Sequence, residues 1–361
     1  MPRTAHPVAA FAVVAALMVP GAPARAEVKT FRDVVAACDN ARDCVAYGLG
    51  ADIVGAYLKI ERGGAPNAAP KVTFAVDLPA ASSFTLAFDD PALDAALPQG
   101  PFSGPAKDEN NARVTVSEPA AVAALLDALR KAKTLRVTRK DPPGAPASDP
   151  VESELSMAGA VAALLWIDEQ QKRLGTVTAL IRRGDKPAST VPAPPALPVV
   201  VAAKTNPAPL AKHLPKAVQA KGRTLCGEGE DEARFDEAKR LSGTQILYAF
   251  SCPSLSGAYN QAHAYLVAPE DAPQSARIPD FIMPPEQKRN DKDIILVNAD
   301  FDATTATLST FSKGRGIGDC GTESEWISDG KAFRVVSYRN MPYCRGVSLD
   351  DWPVLYRATR K

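Results

Sequence analysis

Apolar and β-branched residues gather in Ala56–Glu61 and Val72–Leu78, and Phe84–Phe88 alternates apolar with small positions, which predicts three strands. From Ser117 the period becomes helical. Val122, Leu125, Leu126 and Leu129 recur at three- and four-residue spacing behind a Ser117 cap and an early Pro119, a pattern for a helix of about 13 residues. Thr134–Arg139 reads as a strand and Asp141–Pro150 as a proline-rich turn. The order then repeats: a strand over Val151–Met157, a helix over Ala158–Gln171 that buries Val161, Leu164, Leu165 and Trp166, and a strand over Thr176–Ile181 ended by Arg182-Arg183-Gly184.

Between Pro187 and Pro215 there are eight prolines in 29 residues and no usable period. Such a segment favours extended polyproline backbone, about 3.1 Å per residue, and serves as a semi-rigid connector or a strap across a domain. A proline-recognition motif for another protein's groove has the same composition, which alone does not select it. Beyond it the pattern predicts a helix over Glu230–Leu241 and strands over Gln245–Ser251, Ala262–Ala268, Asp293–Ala299, Thr305–Phe311, Ala332–Tyr338 and Val354–Ala358, with Asp300–Thr305 as a hairpin connection. The expected fold class is α+β: two domains rich in antiparallel β with a few helices, stabilised by disulfides. Residues 27–186 form the N-terminal α+β domain, 187–222 the proline-rich connector and 223–361 a mainly β domain.

The first 26 residues change the picture of where this happens. Arg3, an apolar run from Val8 to Val19 and the Ala24-Arg25-Ala26 ending form a secretory signal with cleavage expected after Ala26. The run is too short for a membrane span, which needs about 20 apolar residues, and no later segment reaches that length. Cleavage takes two of the 42 basic residues and no acid, leaving 40 against 41 acidic ones. A chain so near neutrality has no electrostatic footprint for nucleic acid. The Ala- and Pro-rich composition points to a Gram-negative bacterium and hence to the periplasm.

All six cysteines follow the cleavage point, and an even count in an exported chain reads as three disulfides. Cys38 and Cys44, six apart with Asp and Asn between them, close a small turn loop. Of the three ways to pair the other four, local pairing favours Cys226 with Cys252 and Cys320 with Cys344, although sequence does not decide connectivity. Gly314, Gly316, Gly318 and Gly321 surround Cys320, as expected where a sharply folded hairpin loop is stapled in shape.

The candidate chemistry is sparse. No C-x-x-C or H-x-x-x-H supports a metal site, and after cleavage only His213 and His263 remain. No G-x-S-x-G elbow is present, and Lys313–Gly318 lacks the order of a phosphate loop. Neither a metal nor a cofactor is expected. Asp168-Glu169, Asp319, Glu323, Glu325 and Asp350-Asp351 could supply an acid and a base for glycan cleavage, but Asp168-Glu169 at a helix end reads as a solvated face and Asp350-Asp351 as a turn. Arg315, Asp319, Trp326, Tyr343, Arg345 and Trp352 place aromatic and guanidinium groups on or beside the stapled loop, a composition of interface anchors and of sugar- or peptide-binding surfaces. The competing reading is that both tryptophans fill the core and both arginines hold loop carbonyls.

Three blocks carry a resemblance: Cys38…Cys44; Leu164-Leu-Trp-Ile-Asp-Glu-Gln-Gln-Lys-Arg173 with Thr176-Val-Thr-Ala-Leu-Ile-Arg-Arg-Gly184; and Gly314-Arg-Gly-Ile-Gly-Asp-Cys-Gly321 with Cys344-Arg-Gly346 and Trp352–Ala358. The chain resembles the bacterial secreted family labelled domain of unknown function 1176, and its N-terminal third is distantly similar to invasion-associated locus B proteins. The resemblance implies an exported, cysteine-containing envelope protein and brings no catalytic residues with it. The expected role is non-enzymatic binding of an envelope protein or glycan. The alternatives are a wall glycan or peptide hydrolase using Asp/Glu pairs, and an inhibitor of a wall-degrading enzyme that presents Ser254–Tyr259.

Overall fold

A computed structural model describes residues 26–50, 55–78, 81–104, 111–142, 144, 152–204, 210, 214–227, 233–284 and 295–361. Residues 1–25 of the expected secretory signal and His213 lie outside the described residues. The described chain is mostly antiparallel β sheet with few helices.

Glu27–Phe31, Val34–Cys38, Cys44–Leu49, Ala56–Arg62, Lys71–Asp77 and Asn111–Val116 form one six-stranded antiparallel sheet, each strand paired with the next. Glu152–Ser156, Thr134–Lys140, Ser83–Phe88 and Phe102–Ser103 form a smaller antiparallel sheet. Helices α1 (Pro119–Leu129) and α2 (Ala160–Gln170) contribute Leu125, Leu126 and Leu164 to the core these sheets enclose.

The inner strands of the six-stranded sheet are buried on both faces. Val34, Ala36, Ala46, Leu58 and Phe74 face the helices, whereas Val35, Ala37, Val45, Tyr47, Tyr57 and Ala75 face Met341, Val347, Trp352 and Leu355 from the far end of the chain. A strand covered on both sides has no polar alternation to show. Val34–Cys38 and Cys44–Leu49 are therefore unbroken apolar runs, and the sequence pattern did not mark them.

In the C-terminal part, Arg234–Arg240, Gln245–Ser251, Ala262–Pro269 and Ile295–Val297 form one sheet. Asp300–Asp302, Thr307–Lys313, Gly321–Ser328 and Phe333–Met341 form another, with Phe281–Ile282 and Val354–Arg357 also paired to Phe333–Met341. The expected helix over Glu230–Leu241 is thus a strand from Arg234. It pairs with Gln245–Ser251 as a charged edge, and pairing overrides the helix-forming composition. Helix α3 (Lys216–Cys226) takes up the end of the expected connector and packs Val218 and Cys226 on this sheet. Farther back in the connector, Val199–Val200 pairs in parallel with Thr359–Arg360, so this stretch is a strap tied to the chain end.

Three further expectations shift. Glu118, not Ser117, caps α1 by accepting from Ala121 N at 2.7 Å. In α2, Val161 and Leu165 are exposed and Ala160, Ala163, Leu164, Trp166 and Ile167 are buried, so the apolar stripe is rotated around the helix. Thr176–Ile181 is a series of turns: the Asp168 carboxylate accepts from Leu180 N and Ile181 N, so those donors are not available to a strand neighbour.

Candidate functional site

The disulfides join Cys38 to Cys44, Cys226 to Cys252 and Cys320 to Cys344. Cys38 and Cys44 stand opposite each other in the hairpin register, and between them Asp39 Oδ1 accepts from Ala41 N and Asp43 N, both at 2.8 Å. This self-bonded Asx turn fixes the loop. The loop grips the end of the chain: Arg357 Nε donates to Asp39 Oδ2 at 2.6 Å, its Nη2 to Asp43 Oδ2 at 2.7 Å, and the Arg357 backbone exchanges two hydrogen bonds with the Asn40 amide. Burial pushes the Asp39 carboxyl up against the pull of Arg357.

Behind this clamp lies Asp351, buried and surrounded by the first sheet. Tyr47 donates to its carbonyl, Tyr57 and Arg113 to Oδ2, and Lys59 to Oδ1 at 3.0 Å. Lys59 also pairs with Glu61 at 2.6 Å. Burial alone would raise the Asp351 carboxyl, but the Tyr57 hydroxyl, Lys59 and Arg113 together hold it below the usual aspartate range. Both tyrosine hydroxyls are pushed up by burial and by this carboxylate.

Between the first sheet and the segment 350–357 a cleft of about 350 Å³ remains. Four acids line it, Asp39, Asp43, Glu61 and Asp350, and four cations, Lys59, Arg62, Lys71 and Arg357. Val45, Trp352, Pro353 and Val354 give it apolar wall. Charges so evenly matched, several of them already paired, create little attraction for an ion. They do present donors and acceptors on all sides to an uncharged polar molecule. A wider hollow of about 550 Å³ lies near Val267 and Phe333. Its charged groups are Lys331 and the exposed pair Arg277–Asp280, so it offers less chemistry.

The residues that the sequence singled out are not gathered on one surface. Gly321–Ser328 is a strand within its sheet, with a neighbour on each side, so Trp326 points into the core, 3% exposed, against Phe281. Trp352 is 2% exposed, packs at a tilt on Phe311, donates from Nε1 to Val347 O and lines the cleft. Neither tryptophan can serve as a surface anchor. Arg315 forms a two-pronged ion pair with Asp319, whose Oδ2 also accepts from Gly346 N. That pair ties the glycine loop to the turn after Cys344, and Arg315 and the Gly346 amide together outweigh burial and hold the Asp319 carboxyl low. Tyr343 is partly exposed and its hydroxyl meets Thr30 Oγ1 at 2.6 Å; Arg345 is exposed nearby.

Two glycines of this loop leave no room for a side chain. At Gly321, φ is +133° and a Cβ would fall 2.0 Å from Ser312 O; at Gly314 it would fall 2.6 Å from Cys320 Sγ. Gly316 has room for a side chain beside Tyr259. The segment 254–259 thus lies against the stapled loop, with Tyr259 Oη 3.5 Å from Gly314 O and with Leu255, Tyr259 and Ile317 exposed.

Asp319, Cys320 and Cys344 cluster closely enough to hold a metal ion, but both sulfurs are in a disulfide and offer no thiolate, so the set does not fit one. Asp168 is fully buried rather than on a solvated face, and Asp350-Asp351 closes a short turn, as its sequence indicated. In the sequence Asp39 and Asp43 stand out only as turn residues, and no local pattern marks Lys59, Glu61, Lys71 or Arg357 as cleft residues.

The family model described as a protein of unknown function, DUF1176, matches residues 28–359. The chain belongs to the DUF1176 family. The DUF1176 match takes in both ends of the clamp, the Cys38–Cys44 loop and Arg357. The chain is also similar to the uncharacterized protein YpfG of Escherichia coli (strain K12), 33% identical over 210 residues. That alignment covers 57% of this DUF1176 chain and 60% of YpfG. No solved structure matches it. These matches do not show the similarity to invasion-associated locus B proteins.

Proposed function

We propose that this protein is a non-enzymatic binding protein of the cell envelope, exported to the periplasm and cleaved after Ala26. It holds a small, uncharged polar ligand, a glycan fragment, in the cleft between the first sheet and segment 350–357. The observation that supports this reading is the balance of four acids and four cations around about 350 Å³, within the size range of small-molecule sites. The test is saturation-transfer NMR of the mature protein with soluble wall glycan fragments, beside the double variant Glu61→Ala, Lys71→Ala. Transfer to the sugar protons that disappears in the double variant, with an unchanged melting curve, is the expected result. No transfer to any fragment from the wild type sinks the reading.

A hydrolase reading draws on Asp39, which burial pushes up as a general acid requires. Its oxygens argue the other way. Oδ1 accepts two backbone N–H groups and Oδ2 accepts from Arg357, all contacts to the ionised form. Cleaved fragments in the same NMR samples would overturn the non-enzymatic reading. The inhibitor reading rests on Ser254–Tyr259 lying beside the stapled loop. Protection of wall from a lytic enzyme by the mature protein, lost in Tyr259→Ala, is its check.

A further inference from the structure

The block 164–184, distinctive in sequence, builds a buried cluster around Arg62, which also lines the cleft. Asp168, Gln171 and Arg173 are 0% exposed and Arg62 is 3% exposed. Gln171 Oε1 accepts from Arg62 Nε at 2.9 Å and from Arg173 Nε at 3.1 Å, and its amide nitrogen donates to the carbonyls of Arg42 and Arg62. Asp168 lies 3.7 Å from Arg62 Nη2. Arg173 donates to neutral oxygens: the carbonyls of Pro66 and Ala65 and the Thr178 hydroxyl.

Two buried guanidiniums therefore share one carboxylate. Burial and the charge of Arg173 push Arg62 down to about 9, and burial lowers Arg173 as well. Arg62 Nη2 has no hydrogen-bond partner among the described residues. A buried donor held only by an ion pair at 3.7 Å, in a cluster of two guanidiniums and one carboxylate, is expensive unless something else answers it.

A cavity of about 240 Å³ lies against this cluster, between α1, residues 67–70 and residues 177–183. Arg62 lines it, and exposed Arg183, its Nε donating to Ala179 O, stands at its edge. Pro70, Val122, Leu126, Val177 and Leu180 supply apolar wall. Among the described residues no Asp or Glu lines it, in contrast to the four acids of the cleft.

We propose that this cavity binds a small organic carboxylate, with its charge answered by Arg62 and Arg183 and its apolar body against Val122, Leu126 and Leu180. Paired donors on two guanidiniums match a carboxylate, and the apolar walls favour an organic anion over an inorganic one. The volume lies below the roughly 300 Å³ at which drug-sized sites begin, which restricts the ligand to a short chain or a single ring.

The test is calorimetry and amide chemical-shift mapping of the mature protein with hexanoate, its neutral isostere hexanamide, and inorganic phosphate. Hexanoate is expected to bind and to shift amides at residues 122–126 and 177–180. Hexanamide is expected to bind about tenfold more weakly, the effect of losing one charge-assisted hydrogen bond. Arg183→Gln weakens hexanoate with an unchanged melting curve, and Val177→Asp, at an exposed rim position, abolishes it. Equal binding of hexanamide, unaltered hexanoate binding in both variants, shifts confined to the cleft, or binding of phosphate without hexanoate would each overturn the proposal. Because glycan binding in the cleft is read on Glu61→Ala, Lys71→Ala and hexanoate binding on Arg183→Gln and Val177→Asp, failure of one reading leaves the other intact.

Discussion

Asp351 and Asp168 are both buried carboxylates that answer to two cations, and their surroundings differ. Asp351 sits where the chain end docks on the first sheet. Of its cations, Lys59 is also paired with Glu61, and the Arg113 side chain is 36% exposed. Water and a second acid share the charge there, and two tyrosine hydroxyls complete the shell. Asp168 sits inside the N-terminal part with Arg62 and Arg173, which are at most 3% exposed and form no ion pair with a second carboxylate among the described residues. The same one-to-two ratio therefore makes a satisfied junction in one place and an excess of buried positive charge in the other. Exposure and third partners, not the count of charges, decide which.

The sharpest break of this comparison is Asp168→Asn. It leaves two dry guanidiniums without a carboxylate and takes the acceptor from one of two backbone N–H groups, and is expected to lower stability by about 3–5 kcal/mol. Urea midpoints measure it, and added hexanoate recovers part of the loss. Asp351→Asn is the next largest, about 2–3 kcal/mol, because its cations retain Glu61 or solvent. Equal losses in the two variants would erase the distinction.

The pH dependence of the second variant follows from the lowered Asp351 carboxyl. A folded-state value below the unfolded one, about 3.9, gives stability that is fully present above that value and lost as pH falls through the folded one. The wild type and Asp351→Asn should therefore converge in strong acid and stay apart at neutral pH. The smallest effect is expected from Arg315→Gln. Its pair with Asp319 is partly exposed, so about 1 kcal/mol or less is lost, and calorimetric ligand binding in the cleft stays unchanged.

Local signals made part of the fold legible. Lys71–Asp77, Gln245–Ser251 and Ala262–Pro269 stood out as β-branched and apolar runs, and α1 and α2 through helical spacing. The disulfide partners lie near one another in sequence, which made their pairing the natural reading. Gly321–Ser328 was hidden because Gly-Thr-Glu-Ser-Glu has a turn-like composition, and two neighbouring strands make it a strand. Arg234–Arg240 was hidden because an edge strand rich in charge resembles a helix face. Of the cleft, Trp352 was named for a surface it does not occupy, and the Asp39–Asp43 loop was seen only as a turn.

By itself the sequence determined what depends on neighbours along the chain: α1 and α2 with their spacing, stapled loops, an extended proline segment. Only the tertiary structure decided which faces of the first sheet are buried, that Arg357 reaches Asp39 across 318 positions, and that Arg62 meets Asp168 and Arg173. The physical reason is that burial and charge compensation are properties of surroundings. A residue's type states what it can donate, accept or repel, and folding alone sets what stands opposite it and how much water is left.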